Sequence, residues 1–342
     1  MTGRRLIALA MAALLALAGA LYLSTQRNLP RDTHGRPLLP ALAAELDTVT
    51  AVTLRRGSTA PTATVHQQDD RWNVAERADY PADVPKLRKL LLALADAKIV
   101  EEKTSNARYF SAIGVEDPAA PGAAGAEVAI TARGGRQAVI VGKAAGDGNF
   151  VRHSGENQTY SVAPGISFET DPRFWIDPQL LDLVAADIKR IEVKPQDGPG
   201  YAVRREATGA NYALDGVPAG RKAADAPALA PSPTLSGALT ADDVTASSGV
   251  DFSKAAVATF TMTDGSVITI KGTAAGDKHW ITLQSSKDKA FDAKAAGRAF
   301  EIAGYRFDTI FRPLEQLLAP KSAPAPGKPL PPAKKPQRTS PQ

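Results

Sequence analysis

The chain has 342 residues, 44% of them hydrophobic, and no cysteine, which excludes disulfides, Cys-ligated metals, thiol catalysis and a lipoprotein anchor. Its formal charge of +5 resides in the ends, on Arg4 and Arg5 at the start and on Lys321, Lys328, Lys334, Lys335 and Arg338 at the finish. Without those seven cations the remainder is near −2, and it shows no basic patch with interleaved aromatics, which argues against a nucleic-acid-binding body.

Arg4-Arg5 precede an uninterrupted apolar run from Leu6 to Leu23. As a helix, that run spans about 27 Å, close to the roughly 30 Å of a bilayer core. Residues 1–24 are therefore predicted to be an N-terminal transmembrane helix. Ala18-Gly19-Ala20 also fits the small-x-small pattern of a signal-peptidase site. Two readings stand: an uncleaved signal anchor, favoured because the run exceeds the usual apolar core of a signal peptide, and a secretory peptide cleaved after Ala20. Arg27, Arg31 and Arg36 follow the run and oppose the orienting effect of Arg4 and Arg5. A very short tail before a large body suits export, so the body is placed outside the cytoplasm. Residues 25–47 read as a polar stalk with a short helix over 41–46.

The body opens with an alternating strand, Val49 to Leu54, continued by Val65 and Trp72-Asn73-Val74. Tyr80-Pro81-Ala82-Asp83 introduces the clearest helix: Asp83 caps it and Pro85 suits its first turn. Val84, Leu87, Leu90, Leu91 and Leu94 share one face, while Lys86, Arg88 and Lys89 share the other. The cationic side reads first as a solvated face, and second as a contact for phospholipid head groups or an acidic partner. Ile99-Val100 resumes as a strand, and 104–125 reads as an exposed connector with one turn of helix. Then comes an antiparallel meander. Glu127–Ala132 alternates like a half-buried strand, Gly134-Gly135 turns, Gln137–Val141 returns, Gly142 to Asp147 turns again, and Phe150-Val151 starts a third strand. Thr159–Val162 is a further strand, and Pro178–Asp182 reads as a short helix.

The meander is written twice. Gly135, Gly142, Gly146-Asp147 and Phe150 recur as Gly265, Gly272, Gly276-Asp277 and Trp280 at a constant offset of 130 residues. Ile188–Val193 repeats the opening strand and Asn211–Leu214 repeats Arg71–Val74. Phe311 with Leu317-Leu318 matches Trp175 with Leu180-Leu181. The expected fold is α+β: an internal duplication of a mostly antiparallel sheet unit with one or two helices per copy, behind the membrane segment. The first repeat covers 48–186 and the second 187–319, with a Pro/Ala-rich loop at 218–233. Residues 320–342 form a Pro/Lys-rich tail without an acidic residue, whose composition favours disorder and polyproline II.

No constellation carries chemistry. His34, His66, His153 and His279 lack metal-ligand spacing. Gly142-Lys143-Ala144 fails the phosphate-loop pattern, and no Gly-x-Ser-x-Gly elbow exists. Asp69-Asp70 and Asp242-Asp243 are adjacent pairs whose members point apart in an extended chain, so they read as solvated turns. Trp72, Trp175 and Trp280 read as core anchors, one of them alternatively as a sugar-stacking platform. No catalytic, cofactor-binding or metal residue is predicted.

The strand before Arg71–Val74, Tyr80–Asp83 with its Leu-rich helix, Ile113-Gly114-Val115-Glu116-Asp117-Pro118, Val141-Gly142 before Phe150-Val151-Arg152, and Leu180–Asp182 before Ile188–Val193 make the chain similar to the bacterial family catalogued as domain of unknown function 4340. The resemblance covers about 1–318 and implies a single-pass envelope protein, often encoded beside ABC transporters of the gliding-motility-auxiliary type. It brings no catalytic residues. The expected function is that of a non-enzymatic accessory protein, held in the bacterial inner membrane through residues 6–23 with its body in the periplasm, serving an ABC-type transporter or another envelope assembly. The alternative is a periplasmic solute- or glycan-binding protein with a groove between the repeats.

Overall fold

The computed structural model describes Ala16 and residues 34–206, 211–230 and 237–320. The predicted membrane segment apart from Ala16, the stalk up to residue 33, part of the 218–233 loop and the tail beyond Pro320 lie outside the described residues. Among the described residues no helix is long and apolar enough to cross a membrane.

The first stretch contains α1 (Pro40–Glu45), β1 (Ala51–Arg55), β2 (Ala63–Gln68), β3 (Arg71–Val74), β4 (Tyr80–Pro81), α2 (Val84–Asp96), β5 (Lys98–Glu102), α3 (Phe110–Ile113), β6 (Ala126–Ala132), β7 (Gly135–Ala145), β8 (Gly148–His153) and β9 (Thr159–Ala163). Its nine strands form one sheet in the order β4-β3-β2-β1-β6-β7-β8-β9-β5. The second stretch contains β10 (Gln179–Leu183), β11 (Ile188–Lys194), β12 (Tyr201–Arg205), β13 (Tyr212–Asp215), α4 (Ala226–Leu229), β14 (Gly237–Thr240), β15 (Asp243–Ala246), β16 (Ala256–Met262), β17 (Val267–Ala275), β18 (Lys278–Ser285), α5 (Lys289–Ala295), β19 (Arg298–Ile302) and α6 (Gly304–Ile310). Eight of its strands run β13-β12-β11-β16-β17-β18-β19-β15. Adding ten to each label of the first sheet, from β3 onward, reproduces that order. The fold is α+β and mostly antiparallel. Of the described residues, one unit holds those up to Gln179 with 241–249 and 297–300, and a second unit holds the rest.

Turn chemistry fixes the hairpins. Asp69 and Asp70 both have positive φ, 50° and 59°, as a two-residue turn of matching twist requires. In the repeated Gly-x-Ala-Ala-Gly-Asp segment only the second glycine serves the turn, with φ of 59° at Gly146 and 66° at Gly276. The first glycine lies inside a strand and is a close-approach residue. A Cβ at Gly142 would lie 2.5 Å from the Ile113 carbonyl oxygen, and one at Gly272 would overlap the Phe311 ring.

Several local expectations change. Pro178–Asp182 does not form a helix: Gln179–Leu183 is β10, paired with β14. A short apolar run between turns does not distinguish the two states, and here a partner strand decides. The short turns at 172–175 and 314–317 are each followed by a single bridge, Ile176 to Ala82 and Leu318 to Ala223. By this topology Leu317 stands where Trp175 stands, while Phe311 packs on Gly272 instead. β6 is buried on both faces except at Thr131, whereas its counterpart β16 alternates as a half-buried strand should.

Two outcomes test these assignments. Gly142→Ala and Gly272→Ala each lower stability by about 1–3 kcal/mol through overpacking, measured by chemical denaturation. In the β16–β17 turn, Asp264 accepts from the Ser266 amide at 2.8 Å and hydroxyl at 2.6 Å, and from Lys287 Nζ at 2.9 Å. The Ser266 donors first, then Lys287, hold its carboxyl well below the usual carboxylate range. A depressed carboxylate stabilises the fold above the ordinary range and loses that contribution as pH falls through it. Asp264→Asn therefore flattens the loss of stability between about pH 5 and pH 2, a difference that denaturation at each pH resolves.

Candidate functional site

The first unit exposes one surface that its own packing does not explain. Asp83 caps α2 by accepting the Lys86 amide at 3.1 Å. Leu87, Leu90, Leu91 and Leu94 are buried, so the helix already has a full inner face. Val84, Arg88 and Leu92 nevertheless form an outward stripe at i, i+4 and i+8, with Pro85 and Lys89 beside it. Val84 is 38% exposed and Leu92 46%. These five residues line a shallow groove of about 440 Å³.

Cavities flank this stripe. On one side α2, the 46–49 segment and β2–β3 enclose about 410 Å³ lined by Leu46, Val49, Gln67, Trp72 and Leu87 and, from the stripe itself, by Val84 and Leu92, with Asp47 and Arg88 as its charged groups. On the other, Lys86 and Lys89 meet Phe168, Phe174 and Trp175 around about 450 Å³. Lys86 is engaged: its Nζ donates to the Phe174 carbonyl at 2.9 Å, pairs with Asp83 at 3.1 Å and sits 4.6 Å over the Phe174 ring.

The chain reaches this surface through a fixed path. Gly35 N–H donates to Ile99 C=O at 2.7 Å, Ile99 N–H to Arg36 C=O at 2.8 Å and Leu38 N–H to Ala97 C=O at 2.8 Å. Residues 35–38 thus cover the outer edge of β5, an edge that would otherwise offer unpaired backbone groups. Leu38, Leu39 and Leu42 are fully buried, and α1 packs on α2. The end of the stalk is part of the core.

The opposite face of the first sheet carries the main charge cluster. Register places Arg55, Glu127, Ile140, Arg152 and Thr159 in one row across five strands. Glu127 is 5% exposed and accepts from Arg55 at 2.8 Å, Arg136 at 3.0 Å and Ser154 Oγ at 2.8 Å. Arg152 donates Nε to Val115 C=O at 2.9 Å and Nη1 to Glu156 C=O at 2.8 Å, with its guanidinium 4.8 Å from the Phe110 ring centre. Burial pulls its pKa below the usual arginine value. Every partner of this row is structural: it pins the 107–115 segment onto the sheet.

The residues weighed from sequence stay apart. His34 Nδ1 contacts Val100 C=O at 2.9 Å, His66 faces Asp79 at 3.4 Å, His153 meets the edge of Tyr160, and His279 packs on Phe307. Among the described residues no group of three His, Asp or Glu is placed to hold a metal. Asp69-Asp70 is a turn, as read. Asp243 is not a solvated turn residue: its carboxylate accepts from Arg77 Nε at 2.5 Å. Arg298, which sequence reasoning passed over, donates to the carbonyls of Ala78 at 2.9 Å and Asp79 at 3.1 Å, both left-handed residues. Trp175 and Trp280 are buried, and Trp72 is half-buried at the cavity.

A family model described as "Domain of unknown function (DUF4340)" matches residues 72–329. No curated protein and no solved structure matches the chain.

Glu127→Ala leaves Arg55 and Arg136 without their carboxylate and lowers stability by about 3 kcal/mol, measured by denaturation. Glu127→Gln, which keeps acceptor capacity, costs less. With acrylamide as quencher, the fluorescence lost on Trp72→Phe is the quenchable fraction, and the emission remaining from Trp175 and Trp280 resists quenching.

Proposed function

The chain belongs to the DUF4340 family, and from that premise we propose that it is a non-enzymatic accessory protein, anchored in the inner membrane of a bacterial envelope through residues 6–23, that serves an ABC-type transporter or another envelope assembly. One observation supports the reading above others: the second half of the predicted stalk is built into the first unit from residue 35 onward. A body joined to its anchor through residues 24–34 alone, and rigid thereafter, is held within about 40 Å of the bilayer by the contour length of the chain. That arrangement suits a protein that must stay beside a membrane complex. The repeated strand order fits an origin by internal duplication, with two similar sheets offered to partners.

A second reading, a periplasmic solute- or glycan-binding protein, draws on the cavity beside Trp72 within the first unit. Its volume of about 410 Å³ is in the range of small-molecule sites, and Gln67, Asp47 and Arg88 supply polar contacts.

Purification of the full-length chain from its native membranes in mild detergent tests the first reading. The expected outcome is stoichiometric recovery of a permease and an ATPase, with the chain at full length. Recovery of the chain alone, shortened and soluble, sinks it. A shift in melting temperature on adding envelope sugars or peptides, abolished by Trp72→Ala, establishes the second reading instead.

A further inference from the structure

We infer that the outer face of α2 rests on the anionic headgroup surface of the membrane, with Val84 and Leu92 as apolar contacts and Arg88 and Lys89 as phosphate-pairing cations. The inference rests on the membrane-anchored reading above and adds which face of the body meets the lipid.

The helix itself points there. Its inner face is complete with four buried leucines, so a helix meant only for solvent needs polar residues along the rest of its circumference. This one instead places a valine and a leucine on the outward stripe, with Arg88 between them and Lys89 alongside. At a membrane interface such a stripe sets its two apolar side chains at the headgroup boundary and its cations against lipid phosphates. From Val84 to Leu92 the stripe is about 12 Å long, which is contact for a few lipid head groups.

Charge favours an anionic surface. The carboxylates around this face are Asp96, at the helix's last position, Asp83 just before it, which pairs with Lys86, and Asp47 across the cavity from Arg88, against which stand the two cations of the stripe. Arg88 and Lys89 are exposed. Arg36 and Lys98, where the stalk joins the body, are exposed as well. Apart from its two ends the chain is near −2, so net charge does not draw the body to an anionic bilayer and the local cations of this part supply the attraction. The same field then orients the body.

The path of the chain brings the face within reach. Leu38 N–H binds the carbonyl of Ala97, the residue that ends α2. Leu92 is about 8 Å along the helix axis from that junction, well inside the reach of residues 24–34 from the end of the apolar run. A body tethered at this corner meets the bilayer with α2 more readily than with the opposite sheet face.

Because the chain has no cysteine, Leu92→Cys creates a single labelling site in the full-length protein. The control is Tyr109→Cys, on the segment that covers the opposite sheet face and 57% exposed. Each variant, carrying a fluorophore, is reconstituted into phosphatidylcholine vesicles with and without phosphatidylglycerol, and quenching by spin-labelled lipid is read. The expected result is strong quenching at Leu92 and little at Tyr109. Quenching falls without the anionic lipid, and Arg88→Gln with Lys89→Gln lowers the docked-to-free ratio about 30-fold, roughly a fivefold factor for each cation. Both positions are exposed, and circular dichroism confirms that the variants fold. Equal quenching at the two positions overturns the inference alone. Shielding of Leu92 in native membranes but not in pure lipid assigns the face to an acidic protein and also overturns it. Extraction of the full-length chain from membranes by alkaline carbonate overturns the anchored reading, and the inference with it.

Discussion

The carbonyls of Ile113 and Gly114 and the side chain of Val115 lie against Gly142 of β7 in the first sheet, and much of that unit depends on their staying there. Only a residue without a Cβ at 142 allows the approach. Arg152 then fixes the segment by donating to Val115 C=O from a buried guanidinium. The cost of desolvating that cation is offset by two carbonyl acceptors and the face of Phe110. In consequence the sheet acquires a second covered face, which is why β6 is buried on both sides and why Glu127 has to be satisfied by three donors. The motif residues Ile113–Val115, Gly142 and Arg152, far apart in sequence, are one contact in space.

That contact also explains what sequence could and could not convey. The periodicity of β16, the double-aspartate turn and the Asp83 cap are local, and each was legible from neighbouring residues. The repeated Gly-x-Ala-Ala-Gly-Asp was legible as a repeat but not as two jobs. Gly146 and Gly276 take positive φ, whereas Gly142 and Gly272 yield space to other parts of the chain, a backbone segment in one case and the ring of Phe311 in the other. Periodicity carries no information about a distant partner. The same limit hid β10, whose leucines fit a helix until β14 supplies its hydrogen bonds, and it hid α5, a short helix capped by Asp288 accepting the Phe291 amide. Asp243 and Arg77 were silent for the same reason: an ion pair spanning 166 positions leaves no local pattern.

The candidate surface was half legible. Lys86, Arg88 and Lys89 stood out as the polar side of an amphipathic helix, and Val84 was assigned to the apolar side. The structure divides them differently. Lys86 turns inward to Asp83 and the Phe174 carbonyl, while Val84 turns outward into line with Arg88 and Leu92. A helical wheel places residues by angle alone. Which angles are covered is set by the sheet beneath and by the 46–49 segment beside it, and neither is encoded in α2.

Covering β5 with residues 35–38 links the two halves of this description. An exposed edge strand invites pairing with another chain, and here the incoming polypeptide occupies it. The segment that removes that hazard also leads the chain into the unit beside the end of α2, so protecting the sheet edge and fixing the point of entry are achieved by the same hydrogen bonds. A flexible linker in their place would leave the edge open. With residues 35–38 locked at the end of α2, the surface carried by that helix is held at a constant place relative to the point where the chain enters the unit.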